Sequence, residues 1–110
     1  MIFIVAKMTV RPERAKDWLQ LVDGFTRATR SEPGNLFFEW STSVDNPNQF
    51  VLVEGFASRE AGDAHVNSAH FKAAMDTMAD AIATTPQIVS TEAPGSGWSA
   101  MTELTPRHLS

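Results

Sequence analysis

The chain contains no cysteine and no tyrosine among its 110 residues. Without thiols it forms no disulfide, no thiolate metal site, no iron–sulfur cluster and no cysteine nucleophile. Basic runs are missing as well. Nine Lys and Arg are scattered against thirteen Asp and Glu, giving a formal net charge of −4. A nucleic-acid binder of this size would show a basic face, so no nucleic-acid partner is expected. No apolar run approaches the roughly 20 residues that a membrane span needs. The opening Met-Ile-Phe-Ile-Val-Ala-Lys has no positive leader, and Lys7 interrupts it before a signal-peptide core forms. No membrane partner and a cytoplasmic location are therefore expected. A glycine-rich phosphate loop, a dinucleotide fingerprint, a nucleophile elbow and zinc-protease histidine spacing are all absent.

What remains is a chain that is 43% hydrophobic and 20% charged, globular in composition and one domain in length. Residues 2–10 alternate between Ile2, Ile4, Ala6, Met8, Val10 and Phe3, Val5, Lys7, Thr9, the period of a strand. Pro12 and Glu13 suit the first turn of a helix. Ala15, Trp18, Leu19, Val22, Phe25, Thr26 and Thr29 then form one apolar helical face, which Pro33-Gly34 stops. Residues 35–44 and 50–56 read as an antiparallel hairpin around Asp45-Asn46-Pro47-Asn48. Ser58 caps a short helix to about His65, and Ser68 caps a second one carrying Phe71, Ala74, Met75, Met78 and Ile82. Beyond Pro86, residues 87–91 form a last strand. The order predicts an α+β domain of two split β-α-β units, a four-stranded antiparallel sheet with both helices on one face.

That domain spans residues 1–93. The tail, 94–110, opens with the flexible Pro94-Gly95-Ser96-Gly97. Trp98, Met101 and Leu104 are expected to dock on this subunit or a partner, and the final residues to be disordered. Two helices cover only one face of a sheet, yet both faces of the strands are apolar here. An uncovered face would exceed the patch a monomer tolerates, so a homodimer packed sheet to sheet is expected.

The segment His65-Val66-Asn67-Ser68-Ala69-His70-Phe71-Lys72 sets two imidazoles around a helix break. Ser68 reads as a cap before it reads as a nucleophile. His65 is open between a structural role and a site role, His70 either lines a pocket or borders the helix face, and Met75 and Met78 read as core filler. His108 falls in the tail and is assigned nothing. Glu39 and Glu54 lie inside aromatic-rich strands, where buried carboxylates are rare. A hairpin centred between Asn46 and Pro47 sets these two acids face to face. A shift of one residue pairs Trp40 with Glu54 instead. The sequence does not choose between these registers.

Taken in order, Ile4-Val5-Ala6-Lys7, Arg11-Pro12-Glu13, Glu32-Pro33-Gly34-Asn35, Phe50-Val51-Leu52-Val53-Glu54 and His65-x4-His70-Phe71-Lys72 resemble the antibiotic biosynthesis monooxygenase family over about the first 93 residues. The resemblance implies a dimeric ferredoxin-like α+β barrel with a pocket between sheet and helices in each subunit. It implies oxidation of a small aromatic quinol or phenol by molecular oxygen, with no flavin, haem or metal cofactor. Carried over by position, His65, His70 and Glu54 are its expected catalytic residues, and Asn35, Trp40 and Phe71 its expected pocket lining. In this expectation His65 or His70 is the base, and Glu54 orients or charges its imidazole.

Departures from the family narrow the reading. Relatives that degrade haem carry a histidine where this chain has Met75, and tend to carry tryptophan in place of His65. That places haem degradation behind quinol oxidation. The lack of tyrosine removes any mechanism that uses a phenolic proton donor. Two rivals remain: an isomerase of small phosphorylated ketones, for which only Lys7 and Lys72 offer cations, and a non-enzymatic dimeric small-molecule-binding or stress-response module.

Overall fold

The computed structural model describes residues 1–107. His108 and the expected disordered end, residues 108–110, lie outside the described residues. Strand β1 (Ile2–Thr9) leads through a turn and a 3-10 turn (Ala15–Asp17) into helices α1 (Trp18–Leu21) and α2 (Asp23–Arg30). The hairpin β2 (Asn35–Thr42) and β3 (Gln49–Phe56) follows, then α3 (Arg59–Val66), α4 (Ala69–Ala79) and β4 (Gln87–Glu92). The strands form one antiparallel sheet in the order β2-β3-β1-β4. This is the ferredoxin-like α+β arrangement expected from the strand and helix periodicities. Among the described residues no helix is long and apolar enough to cross a membrane.

Alternation along the strands decides which side chains meet the helices. Ala6, Met8, Phe38, Phe50 and Leu52 point inward and form one core with Trp18, Val22, Ala74, Met78 and Ala81. Phe3, Val5, Phe37, Val51 and Val53 point to the opposite face and are half-buried. Gly55 lies there beneath the Phe37 ring, which stands 2.6 Å from where a Cβ would be.

Several local expectations are corrected. The first long helix is broken at Val22, whose carbonyl accepts both the amide and the hydroxyl of Thr26; such back-bonding bends helices. Leu19 falls outside the buried stripe and is exposed. Pro12 and Glu13 sit in a turn closed by Arg14 N–H to Arg11 C=O, ahead of the helix rather than within it. β2 ends at Thr42, leaving Val44 fully exposed in the hairpin turn. Ile82 lies beyond α4 and bridges Val10.

The hairpin takes neither register weighed above. Glu54 pairs with Phe38, and Glu39 pairs with Val53. A bulge between Asn35 and Phe37 accompanies this offset, which turns Glu39 out to solvent and leaves Glu54 facing in alone.

In the tail, the Trp98 ring lies 5.2 Å from that of Phe37 on the outer sheet face. Trp98, Met101 and Leu104 all remain largely exposed on the single chain.

Candidate active site

A close contact between two segments builds the site. After α2 the chain turns through Glu32-Pro33-Gly34, where Glu32 N–H donates to Thr29 C=O and Asn35 N–H to Glu32 C=O. Gly34 is pressed so tightly on α3 that a Cβ there would stand 2.3 Å from Ala61 Cβ. Only glycine permits that approach. His65 follows Ala61 by one helical turn, so it emerges on the same face of α3, against the same turn. Its Nδ1 lies 2.8 Å from Glu32 Oε2.

Ser68 fixes the second imidazole. Its Oγ donates to His65 C=O at 2.7 Å and accepts from Phe71 N–H at 3.1 Å, stitching the end of α3 to the start of α4. The capping expectation for Ser68, and likewise for Ser58 through Ala61 N–H, holds. Across this break His70 swings back, and its Nε2 stands 2.5 Å from the same Glu32 oxygen. Two imidazoles therefore share one carboxylate oxygen. A carboxylate carries no proton to give, so both ring nitrogens donate.

Rings enclose His65. Phe25 stacks on it at 5.7 Å, Phe56 lies at 4.8 Å, and Phe71 meets it edge-on at 5.2 Å. The residue is only 3% exposed. Its outer nitrogen, Nε2, faces Glu54 Oε1 at 3.8 Å, too far for a hydrogen bond. That Glu54 oxygen is buried without a hydrogen-bond partner among the described residues. Burial first, and the nearby Glu32 carboxylate second, push the Glu54 carboxyl up from 4.5 to about 7.

Glu54 and His65 open onto a cavity of about 390 Å³ between the sheet, Phe25 of α2 and the inner side of α4. The remaining walls are apolar, among them Leu52, Phe71, Met75 and Ile88. That volume falls in the range of small-molecule sites. Met75, expected as core filler, is a half-exposed wall of this cavity instead, because α4 turns it toward the space between Phe71 and Ile88.

Of the six expected site residues, the structure brings His65, His70, Glu54 and Phe71 together. His70 stands behind His65 and borders a separate groove between α2 and α4. Asn35 and Trp40 lie apart from the cavity. Asn35 donates to the carbonyls of Phe37 and Gly55, satisfying backbone acceptors at the bulge. Trp40 donates to Thr26 Oγ1 and packs against Trp18 and Phe38 in the core. Sequence reasoning gave Glu32 no site role, and it assigned the bond to an imidazole to Glu54. The donor atoms of Glu32, His65 and His70 lie within 4.8 Å of one another, a spacing a metal ion could span. In the structure they engage each other by direct hydrogen bonds.

Comparison with known proteins bears on the family and the fold. The family model described as "Antibiotic biosynthesis monooxygenase" matches residues 1–77. "Putative monooxygenase YcnE" of Bacillus subtilis (strain 168) is 29% identical over 72 residues, 66% of this chain and 76% of that protein. A solved structure from Nitrosomonas europaea, named "Putative antibiotic biosynthesis monooxygenase", superposes with a TM-score of 0.78 at 27% identity. It covers 84% of this chain and 98% of its own. Rv0793 from Mycobacterium tuberculosis shares the fold, with a TM-score of 0.78 at 22% identity over 86% of this chain and 95% of its own.

Proposed function

The chain belongs to the antibiotic biosynthesis monooxygenase family, and from that premise we propose that it oxidises a small aromatic quinol with molecular oxygen, without a cofactor. The observation that carries this reading is one imidazole and one carboxyl, both buried, at the wall of an otherwise apolar cavity large enough for an aromatic ring system.

The chemistry asks the protein for bases and a dry chamber. His65 Nε2 takes the quinol O–H proton. The resulting anion gives one electron to oxygen, and the two radicals join at a ring carbon as a peroxide, which recovers the proton from His65. Glu54, as carboxylate, removes the proton from that carbon while the O–O bond breaks. The departing hydroxide then collects this proton. Overall, quinol and oxygen become hydroxyquinone and water, with both side chains restored. Phe71, Phe25 and Leu52 supply the apolar walls.

Among the described residues no Lys or Arg lines the cavity, which favours a neutral aromatic over a phosphorylated ketone. In this reading the working unit is a homodimer joined through the outer sheet face, where Phe3, Val5, Phe37, Val51 and Val53 gather and Val89 is 67% exposed.

Oxygen uptake with a panel of quinols, in excess chelator and with isotopically labelled oxygen gas, tests the reaction. One labelled atom should appear in the ring product and one in water. The rate should rise with pH through an ionisation near 7, since Glu54 must be a carboxylate and faces both Glu32 and His65. Glu54→Gln should lower kcat by about 10²- to 10⁴-fold and remove that ionisation. Tight quinol binding with no oxygen consumed would favour the binding module instead.

A further inference from the structure

We infer that Glu32 is the positioning residue of the site: it holds His65 in the tautomer with the proton on Nδ1, so that Nε2 faces the cavity as a bare acceptor. The inference deepens the reaction proposed above and rests on it for its kinetic consequence, though not for its structural one.

A neutral imidazole carries its proton on one nitrogen or the other, and the partner of each nitrogen decides which. Nδ1 has a carboxylate oxygen at 2.8 Å. Among the described residues Nε2 has no bond within reach, only Glu54 Oε1 at 3.8 Å. A carboxylate accepts and cannot donate, so the Nδ1–H tautomer is favoured and the lone pair is directed at the cavity. When Nε2 takes a proton, the same carboxylate faces the new positive charge. With His65 at 4% side-chain exposure and Glu32 at 14%, little water screens that attraction.

Glu32 is itself held. His70 Nε2 donates to the same oxygen, and the Gly34–Ala61 contact fixes the turn against α3. His70 therefore clamps the carboxylate from the side of the α2–α4 groove and does not itself line the main cavity. This separates the two imidazoles by role: His65 meets substrate, and His70 secures the residue that aims it. Aromatic packing from Phe25, Phe56 and Phe71 sets the ring plane, but packing alone does not distinguish the two nitrogens.

The test compares wild type with Glu32→Gln and Glu32→Asp, using histidine ring nitrogen NMR for the tautomer and steady-state kinetics for the rate. Wild-type His65 should show Nδ1–H and a bare Nε2. In Glu32→Gln the amide no longer enforces one tautomer, so the Nε2–H form should appear. There kcat should fall by about 10²- to 10⁴-fold with KM nearly unchanged, the behaviour of a base held in the wrong tautomer. Glu32→Asp keeps the carboxylate and should retain the wild-type tautomer and recover part of the rate. A wild-type Nε2–H tautomer would overturn the assignment, as would a Glu32→Gln protein that keeps both the Nδ1–H signal and the rate. A ring signal that appears only after chelation would assign Nδ1 to a metal and overturn it too. If wild type oxidises no quinol, the proposed reaction fails alone, and the tautomer measurement still decides the role of Glu32.

Discussion

The helix–sheet interface is solid at one end and hollow at the other. Under α1, Trp18 is completely buried, with Trp40 packed edge-on at 5.7 Å and Phe50 at 6.0 Å. Under α4, Met75, Phe71, Leu52 and Ile88 surround about 390 Å³ instead. Both ends leave a buried polar atom without a protein partner, but of different kinds. At the solid end it is the neutral Trp18 indole N–H, and at the hollow end it is an oxygen of Glu54. A neutral N–H is a modest cost, whereas a carboxyl that must ionise in an apolar wall costs more. Dense packing is thus concentrated at the α1 end, and the hollow end carries an electrostatic burden that fits the reaction proposed above.

Trp18→Ala should produce the largest stability effect in the molecule. Truncating a wholly buried tryptophan removes its contacts with Trp40 and Phe50 and leaves a void, a loss of about 3–5 kcal/mol. For a chain of this length, that lowers Tm by more than about 10 °C, measurable by calorimetry. A small loss would mean the solid end repacks freely, and the contrast between the ends would dissolve.

Glu54→Gln should act in the opposite direction. In the folded protein the carboxyl titrates at about 7 rather than 4.5, so the native state holds its proton more tightly than the unfolded chain. Between those two values the unfolded state binds fewer protons, and native stability falls as pH rises. Above about 7 the full cost is present, at most about 3 kcal/mol; below about 4.5 it vanishes. Glutamine is neutral throughout, so the variant should be more stable than wild type at pH 8 and nearly equal at pH 4. A variant gaining nothing at pH 8 would show that Glu54 is adequately solvated and that the hollow end bears no electrostatic burden.

The strand order, both serine caps and the approach of His65, His70 and Phe71 were legible because each follows from periodicity or from a local pattern. The hairpin register was not. It is set at the turn end, where Thr42 already pairs with Phe50, and composition leaves no mark of that choice; a shift of one residue moves Glu39 from partner of Glu54 to solvent. Glu32 was hidden differently. It sits in a turn that reads fully as a helix stop, and it meets His65 across 33 residues of sequence. The one signal pointing to it is the glycine two residues later, whose need becomes visible only when Ala61 is seen against it. Asn35 and Trp40 erred the other way. Polar and aromatic types suited to a pocket were committed to backbone carbonyls and to the Trp18 core.

Met75→Ala should give the smallest effect and sharpen the contrast most. Met75 lies on α4 as Trp18 does on α1, but it is 39% exposed and already borders open space. Truncation there creates no new enclosed void, and little of the side chain's transfer free energy is at stake because much of it never left water. Alanine is also the better helix former. The change in unfolding free energy should therefore stay within about 1 kcal/mol, read from denaturant midpoints at unchanged m. A loss approaching that of Trp18→Ala would be informative, because none of the described residues packs Met75 tightly enough to account for it. The missing contacts would have to come from outside this chain, from a dimer that extends beyond the outer sheet face to the rim at Met75 and Ile88, the latter 65% exposed. The loss should then shrink on dilution, since subunit association contributes to stability only at concentrations where the dimer persists.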